Sequence, residues 1–422
     1  MHLAHLRLRD FRNYARLDVD FAPGFHLLLG DNAQGKTNIL EAIYLMATLR
    51  SFRGVGGAQM IRHEAKGYFV GGNVVGGLMP AFFSLSSQKG EEGRGEEANS
   101  IQTKIPSPPP SPGFGATSQP SPRLGGERES EAARKILTSP GGNEIKIYWS
   151  ARERKLALDG QPVRRLSDFL GTLRAVVFCT EDLQLVKGTA RTRRRFLDLL
   201  LTQTHPTYLP LLQRYTQALR SRNALLKQPA TDEAALDSFS AELVKLGNEL
   251  IRLRRELAPR LSPLARLAYR RISNDAEELR VEYLPAVKND FAVELAQARK
   301  RERTFRATLI GPHRDDLQLL LNNKSAAQFG SEGQQRTLAI ALKMAQAEYL
   351  TGIHGSPPIL LIDDIMGELD VKRRSGFLPL LERAHETSGQ VFMTATEENW
   401  PRELGRDLQR WEVVRGTLVA TK

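Results

Sequence analysis

A single cysteine in 422 residues, Cys179, excludes an intramolecular disulfide framework. No Cys/His cluster shows the paired spacing of a zinc site. Cys179 closes the apolar run Val176-Val177-Phe178-Cys179 and reads as a small buried hydrophobe. No stretch approaches the ~18 apolar residues of a membrane span. The start, Met1-His2-Leu3-Ala4-His5-Leu6-Arg7-Leu8-Arg9, is charged and amphipathic with no apolar leader behind it, so it reads as a first strand. These absences predict a cytoplasmic protein with no membrane role. The remaining composition, 41% hydrophobic and 26% charged, is that of a soluble globular chain of two or three domains.

Positive charge is in excess: 60 Lys+Arg against 48 Asp+Glu, a formal net charge of +12. The stretch from Glu181 to Arg306 holds 24 basic and 16 acidic residues and so carries most of it. An excess of this size points to a polyanionic partner and puts the candidate nucleic-acid surface in the middle of the chain.

Hydrophobic periodicity predicts short strands over Leu3 to Asp10 and Leu17 to Phe21, and an apolar strand over Phe25 to Leu29 that stops at Gly30. A helix from Lys36 to about Leu49 places Leu40, Ile43, Tyr44 and Ala47 on one face. Between about Ser86 and Gly142 the sequence becomes Gly/Glu-rich and then Pro/Ser-rich, which predicts a disordered insertion between two strands. Strand character resumes at Glu144 to Trp149, and Leu156 to Val163 reads as a hairpin turning at Asp159-Gly160. Leu212, Tyr215, Leu219 and Leu226 mark one later helix, and Leu243, Leu246, Leu250, Leu253 and Leu257 mark the next. Joined through Gln228 to Asp232, they predict a short antiparallel helical hairpin with arms of about 35–40 Å, the second capped by Thr231 or Asp232.

Gly30-Asp31-Asn32-Ala33-Gln34-Gly35-Lys36-Thr37 satisfies G-x-x-x-x-G-K-[ST] between a predicted strand and a predicted helix. The glycines let backbone N–H groups turn inward around phosphate oxygens, Lys36 reaches the β/γ phosphates, and Thr37 is the Mg²⁺ ligand of an ATP site. Near the other end, the apolar run Pro358 to Ile362 delivers Asp363 and Asp364. Asp363 fits a second Mg²⁺ ligand. Asp364 stands where a glutamate commonly orients the attacking water, and its shorter side chain suits slow hydrolysis.

Ser331-Glu332-Gly333-Gln334 opens a strongly helical stretch before that second carboxylate run and looks like the signature of ABC ATPases. In such an arrangement the Ser331 hydroxyl and Gly333 amide contact a γ-phosphate held by a second subunit, with Gln334 beside them. Gly367-Glu368-Leu369-Asp370 resembles the D-loop, which makes Asp370 a further nucleotide-site candidate. Gln390 to Thr396 resembles the strand leading to the switch position, where Thr394 or Thr396 stands in place of the usual histidine.

These motifs, with Phe11-Arg12-Asn13-Tyr14, Asn38 to Tyr44, Ser51-Phe52-Arg53, Arg193 to Asp198, Tyr215 to Leu226 and Gly311 to Asp316, closely resemble the RecF family of bacterial recombination-repair proteins. The likeness covers nearly the whole chain outside the Ser86–Gly142 insertion. It implies an α/β, ABC-type P-loop ATPase head, a mixed sheet with flanking helices, whose halves are residues 1–180 and 301–422. A basic, mainly helical second lobe at 181–300 carries the short hairpin. It also implies an ATP-dependent homodimer on duplex DNA or a single-strand/double-strand junction, weak DNA-dependent ATP hydrolysis, and RecR, RecO and RecA as partners. Arg191, Arg193, Arg194, Arg195, Arg220 and Arg222, with Arg254, Arg255, Arg270 and Arg271, are the candidates for phosphate contacts. The alternative is an ATP-gated dimerising scaffold in which direct DNA contact is minor.

Overall fold

The computed structural model describes residues 1–76, 142–230, 232–273, 277–387, 389–396 and 408–421. The expected insertion lies outside them save for Gly142, and Thr231 lies outside them too. The fold is mixed α/β. Its centre is a sheet in the order β15-β14-β3-β13-β12-β8, from Thr417–Thr421, Leu408–Val414, Gly24–Leu29, Gln390–Ala395, Ile359–Asp363 and Ala175–Phe178. All neighbours are parallel except the hairpin β14–β15. Strands from the two ends of the chain therefore lie side by side. Along β12 the side chains of Ile359 and Leu361 enter one core and those of Leu360 and Ile362 the other. Burial on both faces is why this strand reads as an unbroken apolar run.

One core lies between that sheet, the helix α1 (Lys36–Thr48) and an antiparallel sheet in the order β2-β1-β4-β5-β6-β7. Its strands are Tyr14–Asp20, His2–Phe11, Gly67–Val75, Gly142–Ser150, Arg154–Leu158 and Gln161–Pro162. The turn between β6 and β7 is Asp159-Gly160, both at positive φ (50° and 75°), as a two-residue hairpin requires. Cys179 is buried here, and burial pushes its thiol pKa up, so it is a core residue.

The other core joins the central sheet to helices α2 (Ala190–Thr204), α3 (Tyr208–Leu226), α4 (Glu233–Ile272), α5 (Phe291–Phe305), α6 (Glu332–His354) and α7 (Val371–Glu386). A small sheet, β11-β10-β9 (Lys324–Ser325, Asp316–Leu321, Leu279–Leu284), completes it. The leucines at 243, 246, 250, 253 and 257 are all buried in this core. Asp232 caps α4 by accepting from the Ala235 N–H at 3.0 Å.

The hairpin is not short and symmetric, as the sequence suggested. Its first arm is 19 residues, about 28 Å, and its second is 40 residues, about 60 Å. Pro259 and Pro263 lie inside the second arm. Each lacks an N–H and ordinarily ends a helix, yet Leu257, Leu261 and Ala265 anchor this one in the core before, between and after the two prolines.

Candidate ATP site and nucleic-acid interface

The loop after β3 turns at Gly30 (φ 145°) and Gly35 (φ 117°), values that only glycine adopts readily. A Cβ at Gly30 would lie 2.5 Å from the Val413 carbonyl oxygen, and one at Gly35 would lie 2.6 Å from the Asn13 amide. Gly35 is also the N-cap of α1, with no side-chain cap, so the helix's first amides are left for a ligand. The Lys36 ammonium donates to the carbonyls of Gly30 and of Asp31 (3.0 Å), inside the loop where phosphate oxygens would take their place. Burial lowers its pKa, and Asp364, Asp31 and Asp363 oppose that shift.

Strand register assembles the opposite wall. Asp363 on β12 pairs with Thr394 on β13, and β13 pairs in turn with β3 just before the loop. The Thr37 hydroxyl donates to Asp363 Oδ1 at 2.8 Å and the Thr394 hydroxyl donates to the same oxygen at 2.9 Å. Oδ2 has no hydrogen bond among the described residues. Burial raises the Asp363 pKa, and the two threonine hydrogen bonds and Arg53 oppose the shift. A carboxylate held by a threonine in this way, with one oxygen uncommitted, fits the donor set of Mg²⁺.

Asp364 is exposed, at φ 55°, and its N–H donates to the Thr394 hydroxyl at 3.0 Å. Thr394 is 2% exposed and fully occupied by these two neighbours, so it braces the carboxylates rather than standing free for a phosphate. Thr396 is exposed.

The residues that brace the loop from outside had no role assigned from the motifs. Asn13 donates to the Gln34 carbonyl at 2.7 Å and accepts from Asn38 at 2.8 Å. The Tyr14 hydroxyl donates to the Gly35 carbonyl at 3.1 Å. From the far end of the chain, the N–H groups of Arg415 and Gly416 donate to the Gln34 side chain and backbone at 2.7 and 3.1 Å. Arg12 grips the fully buried Glu41 through two 2.7 Å bonds, tying the β1–β2 turn to α1. The Phe11–Tyr14 motif was the available signal for this brace.

Ser331 is exposed and caps α6 in a reciprocal pair: its hydroxyl accepts from the Gln334 N–H at 3.2 Å, and the Gln334 side chain accepts from the Ser331 N–H at 2.6 Å. Gln334 also donates to Glu277, which accepts from Tyr269 of α4. Asp370 accepts from the Arg373 N–H and guanidinium at 2.8 and 2.9 Å, and the same arginine donates to Thr337 of α6 at 3.0 Å. The Ser331–Gln334 cap, the segment at Asp370 and the long helix α4 therefore meet at one point. The bonds of Ser331 and Gln334 run to one another and to Glu277, not to the loop at residues 30–37.

Four of the arginines proposed for phosphate contact are committed inside the protein. Arg222 and Glu302 are both 0% exposed and paired at 2.6 Å, with Thr308 and Ser240 taking the other donors. Arg254 is buried and bonds to Asp198 (2.7 Å), Asp315 (2.9 Å) and the Pro312 carbonyl. Arg193 makes a two-pronged pair with Asp316, and Arg194 donates to the Asp315 carbonyl. These four hold the lobe together, and Arg222 and Arg254 are inaccessible to DNA. Arg191, Arg195, Arg220, Arg255, Arg270 and Arg271 are exposed.

A family model described as an AAA domain matches residues 5–93. The DNA replication and repair protein RecF of Symbiobacterium thermophilum is 34% identical over 99% of this chain and 98% of its own length. Those of Natranaerobius thermophilus (35%, over 94% and 91%) and Lactococcus lactis subsp. cremoris (32%, over the whole of both) are similar to it as well. In fold, the chain is similar to the recombination mediator protein RecF-ATPrS of the RecFOR pathway, with a TM-score of 0.76 at 24% identity over 100% of this chain and 98% of that one. Likeness to an SMC head domain from Pyrococcus furiosus is weaker, with a TM-score of 0.50. With identity of 34% sustained from end to end, on a fold that brings a P-loop and a distant carboxylate strand together, the chain belongs to the RecF family of DNA replication and repair proteins.

Proposed function

We propose that this chain is an ATP-gated clamp on DNA, acting in recombinational repair and replication restart. The observation that carries the reading is the 2.8 Å bond from Thr37 to Asp363, which closes a nucleotide site from residues at opposite ends of the sequence. Lys36 and the loop amides bind the β and γ phosphates, and Thr37 and Asp363 hold Mg²⁺. When bound, the metal neutralises charge developing on the transferred phosphoryl group. Asp364 orients the attacking water, and its short side chain keeps hydrolysis slow.

A second copy completes the site, with its Ser331 hydroxyl and Gly333 amide turned to the γ-phosphate. Support comes from two large apolar side chains left in water beside these motifs, Phe329 (69% exposed) before the signature and Val371 (78%) after Asp370. Closure of the pair grips duplex DNA or a single-strand/double-strand junction, and hydrolysis releases it. With RecR and RecO, the clamp helps place RecA at gaps.

The test is fluorescence anisotropy of a labelled duplex with wild-type, Lys36→Ala and Ser331→Arg proteins, with and without ATP·Mg²⁺. Tight binding by the wild type only with ATP is the expected result. Lys36→Ala loses ATP affinity and DNA binding together; Ser331→Arg keeps ATP affinity but fails to dimerise by light scattering. Equal binding in every nucleotide state overturns the clamp.

A further inference from the structure

Two adjoining cavities, of about 280 and 310 Å³, share Arg50 and Arg195 in their walls. The first lies between the end of α1, at Tyr44 and Thr48, and the start of α2, at Arg191 and Arg194. The second continues past Gly57 to Tyr68, Trp149 and Arg154 of the antiparallel sheet. Three segments far apart in sequence thus bring guanidinium groups to one groove.

Among the described residues the only carboxylate lining either wall is Asp198, and its Oδ1 already accepts from Arg254 and Tyr208. Among the described residues, Arg50, Arg154, Arg191 and Arg195 make no ion pair, in contrast to Arg193, Arg222 and Arg254. Burial lowers the pKa of Arg195, and Arg50 and Arg191 beside it lower it further. Arg154 is lowered by burial and again by Arg50. Cations crowded together with no counter-charge repel one another until an anion joins them. The rings nearby are already engaged: Trp149 stacks on Tyr68 at 5.9 Å and 11° and packs against Gly57, and Tyr44 meets Phe52 edge-on at 5.7 Å. The groove thus offers charge rather than open faces for bases.

We infer that Arg50, Arg154, Arg191 and Arg195 form a groove for the sugar-phosphate backbone of duplex DNA, contacted without regard to sequence. The inference rests on the DNA-binding reading above; it keeps Arg191 and Arg195 of α2 and adds Arg50 from the end of α1 and Arg154 from the antiparallel sheet.

The experiment uses the full chain with ATP·Mg²⁺ and a labelled duplex, titrated between about 50 and 200 mM salt. It compares wild type, a variant with all four arginines changed to Gln, and a control, Arg220→Gln/Arg255→Gln, on exposed lobe surface. ATP titration and thermal unfolding check that each variant is folded. Removing four phosphate contacts is expected to flatten the slope of log K against log salt by about 3–4 and to weaken binding at least about tenfold at low salt, with ATP affinity unchanged. Unchanged affinity and slope in the four-fold variant overturn the groove while leaving the clamp. A wild-type protein that binds no duplex in any nucleotide state overturns both.

Discussion

The arginines of the buried interior and those of the groove look alike in the sequence and behave oppositely in the fold. Arg222 and Arg254 are buried, and each meets carboxylates and hydroxyls brought from elsewhere in the chain. Arg50, Arg154, Arg191 and Arg195 are exposed and, among the described residues, make no ion pair. A buried guanidinium must have its donors satisfied, because water cannot reach it. An exposed one stays hydrated and is free to exchange that water for a ligand. Net charge locates a polyanion-binding protein, but only the placement of the counter-charges separates arginines that bind from arginines that build.

The strongest test of that division is Arg222→Ala. It leaves Glu302 in the interior with its pairing guanidinium removed, and takes partners from Thr308 and Ser240 at the same time. Breaking such a pair costs about 3–5 kcal/mol, so urea unfolding is expected to show a loss of that order. The paired change Arg222→Met/Glu302→Leu removes both charges and is expected to recover most of it. A stability change within about 0.5 kcal/mol for Arg222→Ala would place this residue with the solvated surface charges instead.

The glycine-rich loop was legible because its backbone geometry admits few residues: glycine at φ 145° and 117°, at the entry to a helix that opens on Lys36 and Thr37. The strands were legible for a similar reason, since an apolar run such as Ile359 to Ile362 has to be covered on both faces. What stayed hidden was partnership across distance. Nothing in the run around Arg222 announces Glu302, 80 residues on, or shows that Asp315 waits for Arg254. Thr394 read as a candidate for phosphate because its place in strand order was visible but its two hydrogen bonds were not. The long arm of the hairpin was read too short because Pro259 and Pro263 lie where a local reading ends a helix, and only the tertiary core overrules them.

A second test of intermediate size concerns His313, which lies in the same interior as Arg222. Its Nε2 donates to the Thr308 carbonyl at 3.1 Å and its Nδ1 accepts from the Tyr215 hydroxyl at 2.7 Å, an arrangement that fits the neutral ring. Burial, with Arg314, Arg194 and Arg222 nearby, lowers its pKa to about 4, whereas the Thr308 contact opposes the shift. The unfolded chain, near 6.5, then binds a proton that the folded one refuses. Stability from this group is complete above pH 6.5 and is lost as pH falls toward 4, by up to about 3 kcal/mol. Urea unfolding at pH 7, 5.5 and 4.5 checks it by comparison with His313→Gln, whose stability is expected to fall less over that range.

The smallest expected effect marks the other side of the comparison. Among the described residues Arg195 has no carboxylate partner to lose, and burial with Arg50 and Arg191 beside it already disfavours its charge. Arg195→Gln relieves that repulsion and removes no ion pair, so the urea midpoint is expected to stay level or rise, by no more than about 0.5 kcal/mol. Its duplex affinity falls all the same. A binding site differs from a structural network in just this separation: a substitution that weakens the ligand while sparing the fold. A loss of stability as large as that of Arg222→Ala would mean that Arg195 holds a partner within the protein, and the groove would then be part of the core's own bracing.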